Sequence, residues 1–281
     1  MPTPSPLISA PALQARLDAG LPTVVLDTRF DLAQPAAGAA AHAAGHLPGA
    51  VYAHLDQQLS GAKTGLNGRH PLPDRGSFAA WAGAQGIQPG VLVVAYDDQG
   101  GPYAARAWWL LRWLGHADVA VLDGGWAAWQ AAGGAVDNTV PPVVGGAPYP
   151  ASSTAAMPTV DAQALLAQLG RVRLVDARAA ERFRGDVEPL DPVAGHIPGA
   201  TLRFFKDNLQ ADGRFKSAEQ LRAEFSAWGQ PAAEVVHQCG SGVTACHNLL
   251  AMAHAGLGGA ALYAGSWSEW CADPRRPVAR G

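Results

Sequence analysis

The second half of this 281-residue sequence repeats the first, in the same order and at nearly the same spacing. A strand-like segment ending in Asp-x-Arg, a Gly-His-x-Pro-Gly-Ala turn and a Gly-x-Trp motif each occur twice. The paired segments are 25–29 with 173–178, 44–50 with 194–200, and 124–129 with 265–270. Order preserved over this length indicates a duplicated domain.

Short apolar segments alternate with helical ones in both halves, which predicts the α/β class with a mostly parallel sheet flanked by helices in each half. A change of composition separates the halves, because prolines, glycines and small polar residues dominate residues 136–157. We therefore expect one domain at 7–135, a linker at 136–157 and a second domain at 158–281.

The segment Val235–Cys246 carries the strongest chemical signal, since a β-branched strand stops at Cys239 and a helix follows from Ala245. The turn between them, Cys-Gly-Ser-Gly-Val-Thr, is small and rich in glycine. Backbone N–H groups at a helix N-terminus point into such a turn and stabilise negative charge. We therefore expect Cys239 to be a nucleophilic thiolate, and residues Gly240, Ser241, Gly242, Val243 and Thr244 to cradle an anion on its sulfur.

In the first half the residue that corresponds to Cys239 is Asp97. A carboxylate is not a soft sulfur nucleophile. The first domain is therefore expected to be catalytically inactive and the second to be the catalytic one.

Composition excludes several classes of function. The net charge is −3 and basic residues form no runs, which argues against nucleic acid as a partner. Three cysteines in a chain of this length do not suggest a disulfide framework, and their spacing is not a zinc pattern. With neither a signal peptide nor a membrane-length apolar stretch, we expect a soluble, cytoplasmic protein.

Taken together, these motifs resemble the rhodanese superfamily, and the tandem arrangement is similar to the two-domain sulfurtransferases. The resemblance implies two tandem rhodanese-like domains. It also implies a ping-pong reaction in which Cys239 takes sulfur from a small-molecule donor, becomes a persulfide, and passes the sulfur on. The implied acceptors are cyanide, a small thiol or a thioredoxin-like protein thiol, with no cofactor beyond the persulfide and no membrane partner.

The motifs that bear on the sulfur donor point in two directions. The turn from Cys239 to Thr244 resembles the form typical of 3-mercaptopyruvate sulfurtransferases, whereas thiosulfate-specific relatives usually carry basic residues at positions 240 and 241. That family holds its substrate carboxylate with two arginines, of which Arg182 matches the first. Leu190 stands where the second is usual, so Arg184 becomes the candidate substitute. Mercaptopyruvate is the predicted donor, with thiosulfate as the alternative.

Other residues have more ordinary interpretations. Asp27–Arg29 and Asp176–Arg178 occur in both halves, so we expect them to tie strand ends to turns. His46 is expected to make a structural hydrogen bond, and the resemblance implies assistance to proton transfer as the alternative. Cys246 is predicted to be a small buried side chain, and a cysteine phosphatase is disfavoured because no arginine occurs between Cys239 and Leu257. A persulfide carrier or a non-catalytic scaffold module stays open as an alternative.

Overall fold

The computed structural model describes residues 5–139 and 145–281. Residues 140–144, which include Pro141 and Pro142 of the predicted linker, lie outside the described part. The described residues form two compact units, each an α/β unit with its own parallel sheet. This confirms the predicted fold class.

The sheet of the first unit has the strand order β1-β5-β4-β2-β3, and its paired strands are parallel. The central strands are the most buried because helices cover the sheet on its faces. The strands are β1 (Leu7–Ile8), β2 (Thr23–Asp27), β3 (Val51–Tyr52), β4 (Leu92–Tyr96) and β5 (Val119–Leu122). The helices are α1 (Ala10–Asp18), α2 (Ala37–Ala44), α3 (Arg75–Ala84), α4 (Pro102–Leu114) and α5 (Gly125–Ala131).

The sheet of the second unit has the order β7-β6-β8-β9, again with parallel pairs. The strand that leads to the cysteine, β8, lies between two neighbours and all its residues are buried. The strands are β6 (Arg173–Asp176), β7 (Thr201–Leu202), β8 (Val235–Gln238) and β9 (Ala261–Leu262). The helices are α6 (Ala162–Gln168), α7 (Ala180–Arg184), α8 (Ala218–Ser226), α9 (Thr244–His254) and α10 (Ser266–Trp270), with 3₁₀ turns at Phe205–Asn208 and Ala232–Glu234.

The two units do not coincide with the two halves of the sequence. Residues 61–72 belong to the second unit, although they precede helix α3 of the first, and residues 211–215 belong to the first unit. The described part of the predicted linker, 145–156, groups with the first unit, where Tyr149 is buried and its N–H bonds the Ala79 carbonyl at 2.8 Å. The repeat pattern of the sequence does not indicate that 61–72 and 211–215 each group with the other unit.

The predicted structural role of the duplicated Asp-x-Arg pairs is confirmed in each unit. Arg178 bonds the buried Asp176 carboxylate at 2.7 Å and the Gly195 carbonyl at 2.8 Å, which ties the end of β6 to the histidine-proline turn. Its guanidinium also lies 5.0 Å from the centre of the Trp267 ring, a cation–π distance. Arg29 does the same in the first unit, with Asp27, the Gly45 carbonyl and Trp126.

Helix α3 begins with a side-chain cap. The cap is Asp74, whose carboxylate accepts the Ser77 N–H at 2.8 Å, and the helix begins at Arg75. An aspartate is as good a cap as a serine and also interacts favourably with the helix dipole. Within the described residues, none of the helices combines the length and hydropathy that a membrane crossing requires.

Candidate active site

Strand β8 delivers Cys239 to the carboxyl edge of the second sheet. The strand ends at Gln238, Cys239 follows, and α9 begins at Thr244, one residue earlier than the sequence suggested. Because β8 is buried, Cys239 is buried too, with 2% of its surface exposed. In a parallel α/β unit this strand-to-helix turn is where ligands bind, so the nucleophile occupies the expected position.

The turn after Cys239 folds back on the sulfur. The Gly242 N–H lies 3.2 Å from Cys239 Sγ and points at it, so the turn supplies a backbone donor to the sulfur. Gly242 has φ +77°, and a Cβ there would lie 2.4 Å from the Ala264 carbonyl oxygen. Only glycine fits this position. Val243, the residue before α9, is buried and its carbonyl accepts the Cys246 N–H at 3.0 Å.

The closing Gly-x-Trp motif anchors the cysteine turn. The Cys239 N–H donates to Ser266 Oγ at 3.1 Å, while the Trp267 N–H donates to the Cys239 carbonyl at 2.9 Å. The Ser268 N–H donates to the Gly240 carbonyl at 3.0 Å. Ser266 has φ +54°, which is unusual for a residue other than glycine and marks a constrained backbone. The repeat motif near the end of the chain thus positions the nucleophile.

A histidine from the segment 61–72 contacts the cysteine turn. His70 Nδ1 lies 2.7 Å from Ser241 Oγ, and both side chains are buried. The same segment is fixed at Ser268, whose Oγ accepts the Arg69 N–H at 3.0 Å. A hydroxyl bonded to an imidazole is an arrangement that can move a proton.

Two guanidinium groups flank the turn at Gly240. A Cβ built there would lie 2.9 Å from Arg69 Nη2 and 3.3 Å from Arg182 Nη1. Arg182 also bonds Glu188, with Nη2 to Oε1 at 2.7 Å, and Asp191, with Nη2 to Oδ2 at 3.2 Å. Arg69 pairs with the other oxygen of Asp191. The first predicted arginine therefore lies beside the turn, and its companion in the structure is Arg69.

Two other residues that the sequence suggested, Arg184 and His46, have partners of their own. Arg184 pairs with Asp186 at 2.8 Å, and both side chains are about half exposed, at 49% and 54%. His46 lies in the first unit, where its ring nitrogens face the carbonyl oxygens of His42 at 2.7 Å and Thr139 at 3.2 Å. Both partners are structural, in keeping with the first of the two readings of His46.

Sequence reasoning missed Arg69 and His70. They lie between the turn at 44–50 and helix α3, in the half of the sequence without the cysteine. The adjacent pair Arg69-His70, placed in a glycine- and proline-rich loop, was the available signal, because such loops carry functional residues disproportionately.

The first unit shows what the same turn does without a cysteine. Asp97 is fully buried, and its Oδ1 accepts the N–H groups of Gln99 at 2.9 Å and Gly101 at 2.8 Å. Its Oδ2 accepts those of Tyr103 at 2.9 Å and Ala104 at 3.1 Å. Burial raises the pKa of Asp97, and the four N–H groups oppose that shift. The turn of the first unit that corresponds to the Cys239 turn therefore directs four backbone N–H groups at the carboxylate of its first residue.

The other two cysteines are buried and free, as Cys239 is. Cys246 Sγ lies 3.2 Å from the Gly242 carbonyl oxygen, in agreement with the small buried side chain expected. Burial, with a contribution from Asp191, raises the pKa of the Cys271 thiol to about 11. Cys271 is therefore a thiol and a poor nucleophile near neutral pH. No cluster of three His, Cys, Asp or Glu side chains suited to a metal ion occurs among residues 5–139 and 145–281.

Comparison with known proteins agrees with this geometry. The family model of the rhodanese-like domain matches twice, at residues 9–132 and 160–273. The probable 3-mercaptopyruvate sulfurtransferase of Pseudomonas aeruginosa is 52% identical over 281 residues, covering 98% of each chain. The thiosulfate sulfurtransferase of Bos taurus is 35% identical and covers 84% of this chain and 81% of its own. The 3-mercaptopyruvate sulfurtransferase structure from Leishmania major superposes with a TM-score of 0.84 at 30% identity, over 96% of this chain and 75% of that one.

Proposed function

The chain belongs to the rhodanese family, and we propose that it is a sulfurtransferase that carries sulfur on Cys239 and takes it from 3-mercaptopyruvate. The observation that supports this donor most directly is the pair Arg69 and Arg182 beside Gly240. Such guanidinium groups bind a carboxylate. A carboxylate held there places the rest of a small thiol acid next to the residue that precedes Gly240, which is the nucleophile.

The first half-reaction follows from this arrangement. The Cys239 thiolate attacks the sulfur of 3-mercaptopyruvate, an S–S bond forms and the C–S bond breaks, and its electron pair leaves on carbon as the enolate of pyruvate. The proton of the donor thiol is delivered to that carbon, giving pyruvate and a Cys239 persulfide anion. The Gly242 N–H, which points at Cys239 Sγ from 3.2 Å, is placed to stabilise negative charge on the sulfur.

The proton that the enolate requires has a path in this proposal. Ser241 follows Gly240 in the turn, and its hydroxyl is bonded to His70 at 2.7 Å. A hydroxyl that exchanges a proton with an imidazole can take the thiol proton and return it to carbon. We therefore assign the assisting role that the sequence suggested for His46 to His70.

The second half-reaction returns the enzyme to its starting state. A nucleophile attacks the outer sulfur of the persulfide, the S–S bond breaks, and the electron pair returns to Cys239 as the thiolate. With cyanide the product is thiocyanate. A small thiol or a thioredoxin-like protein thiol would form a new persulfide or, with a second thiol, a disulfide and hydrogen sulfide. Such a cycle is ping-pong, because the first product leaves before the acceptor reacts.

The test compares thiocyanate formation from 3-mercaptopyruvate and from thiosulfate, with mass spectrometry of the intact protein after each donor alone. We expect a higher kcat/KM with 3-mercaptopyruvate and a mass gain of one sulfur atom on Cys239. Cys239→Ala is expected to abolish both signals, whereas Cys246→Ala, the matched control at another buried cysteine, is expected to keep the persulfide. A preference for thiosulfate would replace the donor in this proposal, and a protein that acquires no sulfur from either donor would contradict it.

A further inference from the structure

The two arginines beside Gly240 have a carboxylate of the protein between them. Asp191 uses one oxygen for Arg69 Nη1 and the other for Arg182 Nη2, the latter at 3.2 Å. Its side chain is only 3% exposed, whereas the side chains of Arg69 and Arg182 are 25% and 17% exposed, so a buried carboxylate holds two partly exposed arginines. Asp191 directly follows Leu190, the position at which the sequence lacks the arginine that the family pattern suggests.

Two nitrogens of the Arg69 guanidinium, Nε and Nη2, are not the ones that pair with Asp191. Its Nη1 is taken by the carboxylate, while Nη2 lies beside Gly240. Its Nε is buried and has no hydrogen-bond partner within the part of the chain that the structure describes. Nε and Nη2 form one edge of the guanidinium, with two parallel N–H groups that match the two oxygens of a carboxylate. A buried donor without a partner is costly, which indicates a ligand at this edge.

The charges of this group cancel. Arg69 and Arg182 contribute +2, and Asp191 and Glu188 contribute −2. Arg178 also contacts Glu188, at 3.4 Å, and its charge is balanced by Asp176. The arginines therefore provide directed N–H donors without a net positive field. A ligand with one negative charge finds well-placed donors there. A dianion must also overcome repulsion from Asp191 and Glu188, and this repulsion is strong where side chains are buried.

We propose that Arg69 and Arg182 form the anion site for the sulfur donor, and that Asp191 is a specificity residue that sets its charge. The site then accepts the single carboxylate of an α-keto thiol acid and discriminates against dianionic donors such as thiosulfate. This inference rests on the proposed sulfurtransferase function. It assigns to Arg69 the place that the sequence suggested for Arg184, and it gives the buried Asp191 a role beyond structure.

The decisive variant is Asp191→Asn, which keeps the shape of the side chain and removes its charge. We expect kcat/KM for thiosulfate to rise about tenfold and kcat/KM for 3-mercaptopyruvate to change less than about threefold. The thiosulfate reaction should also become more sensitive to added salt, because a net positive site attracts a dianion through a field that salt screens. The control is Asp186→Asn, an exposed carboxylate of the same segment paired with Arg184, which should change neither donor.

Arg69→Met provides an independent measurement. We expect KM for 3-mercaptopyruvate to rise about tenfold with a smaller change in kcat, because the group binds the donor and does not take part in bond breaking. An unchanged donor ratio in Asp191→Asn, or an unchanged KM in Arg69→Met, would overturn the inference. These outcomes are distinct from failure of the proposed function, in which the wild-type protein itself acquires no sulfur from either donor.

Discussion

Substitution of Gly242 by alanine adds a single methyl group to the Cys239 turn and should change both the stability and the activity of the protein. An alanine there meets two obstacles. Its φ of +77° lies in the left-handed region, which costs an L-residue about 1–2 kcal/mol. Its Cβ would lie 2.4 Å from the Ala264 carbonyl oxygen, about 1 Å inside ordinary van der Waals contact. Relieving that overlap adds about 1–3 kcal/mol.

The displacement should lower activity as well as stability. To relieve the overlap the turn must move by about 1 Å, and the Gly242 N–H then leaves its position 3.2 Å from Cys239 Sγ. A misplacement of this size at a reacting group costs roughly 10²-fold in rate. We therefore expect Gly242→Ala to lose about 2–5 kcal/mol of unfolding free energy and about 10²-fold in kcat/KM.

Gly199→Ala is the matched control for this variant. Gly199 has φ +78° and lies in the same unit, but a Cβ there has no atom within 4 Å. It should lose only the cost of the left-handed backbone and keep full activity. Urea unfolding followed by tryptophan fluorescence and the thiocyanate assay measure both quantities. If Gly242→Ala matched Gly199→Ala in stability and activity, the constraint that we assign to Ala264 would be refuted.

Two further predictions concern a proton path and a buried imidazole. Ser241→Ala and His70→Gln should each lower kcat/KM with 3-mercaptopyruvate by roughly 10²-fold but change thiosulfate turnover little, since sulfite leaves without protonation at carbon; equal losses with both donors would contradict the path. Burial, and then Arg203, lowers the pKa of His237 to about 3 from 6.5, so protonation favours the unfolded chain as the pH falls below 6.5. The free energy of unfolding should fall by roughly 2 kcal/mol between neutral pH and about pH 5. In His237→Leu the free energy of unfolding should fall less over the same range, which unfolding curves at the two pH values would show.

The sequence was sufficient where one local pattern carried the information. The Cys239 turn could be recognised because strand, glycines and helix follow each other within twelve residues, and the repeat placed Asp97 at the matching position. The Asp176–Arg178 pair was interpretable because both halves carry it. In each case short-range spacing determines the geometry, and spacing is visible in a sequence.

Arg69 was not predictable by the same means, because its position depends on where a long loop returns. It lies 170 residues before Cys239 and reaches the turn only through the folding of residues 61–72 with the second unit. Arg184 has the favourable sequence position, two residues after Arg182, but it lies at the end of a short helix and pairs with Asp186 on the surface. Proximity in sequence was therefore a poor guide to which guanidinium faces Gly240.

The exchange of segments 61–72 and 211–215 means that the active unit is not a continuous stretch of the gene. A fragment beginning at the linker would contain Cys239, its turn and Arg182, but would lack Arg69 and His70. A repeat that carries Asp97 instead of a cysteine would be expected to be dispensable for the chemistry at Cys239. Here its loop supplies side chains to the other copy's turn, so loss-of-function mutations should map to both halves of the reading frame. The first half of the sequence is therefore needed for a complete Cys239 turn, whatever else it does.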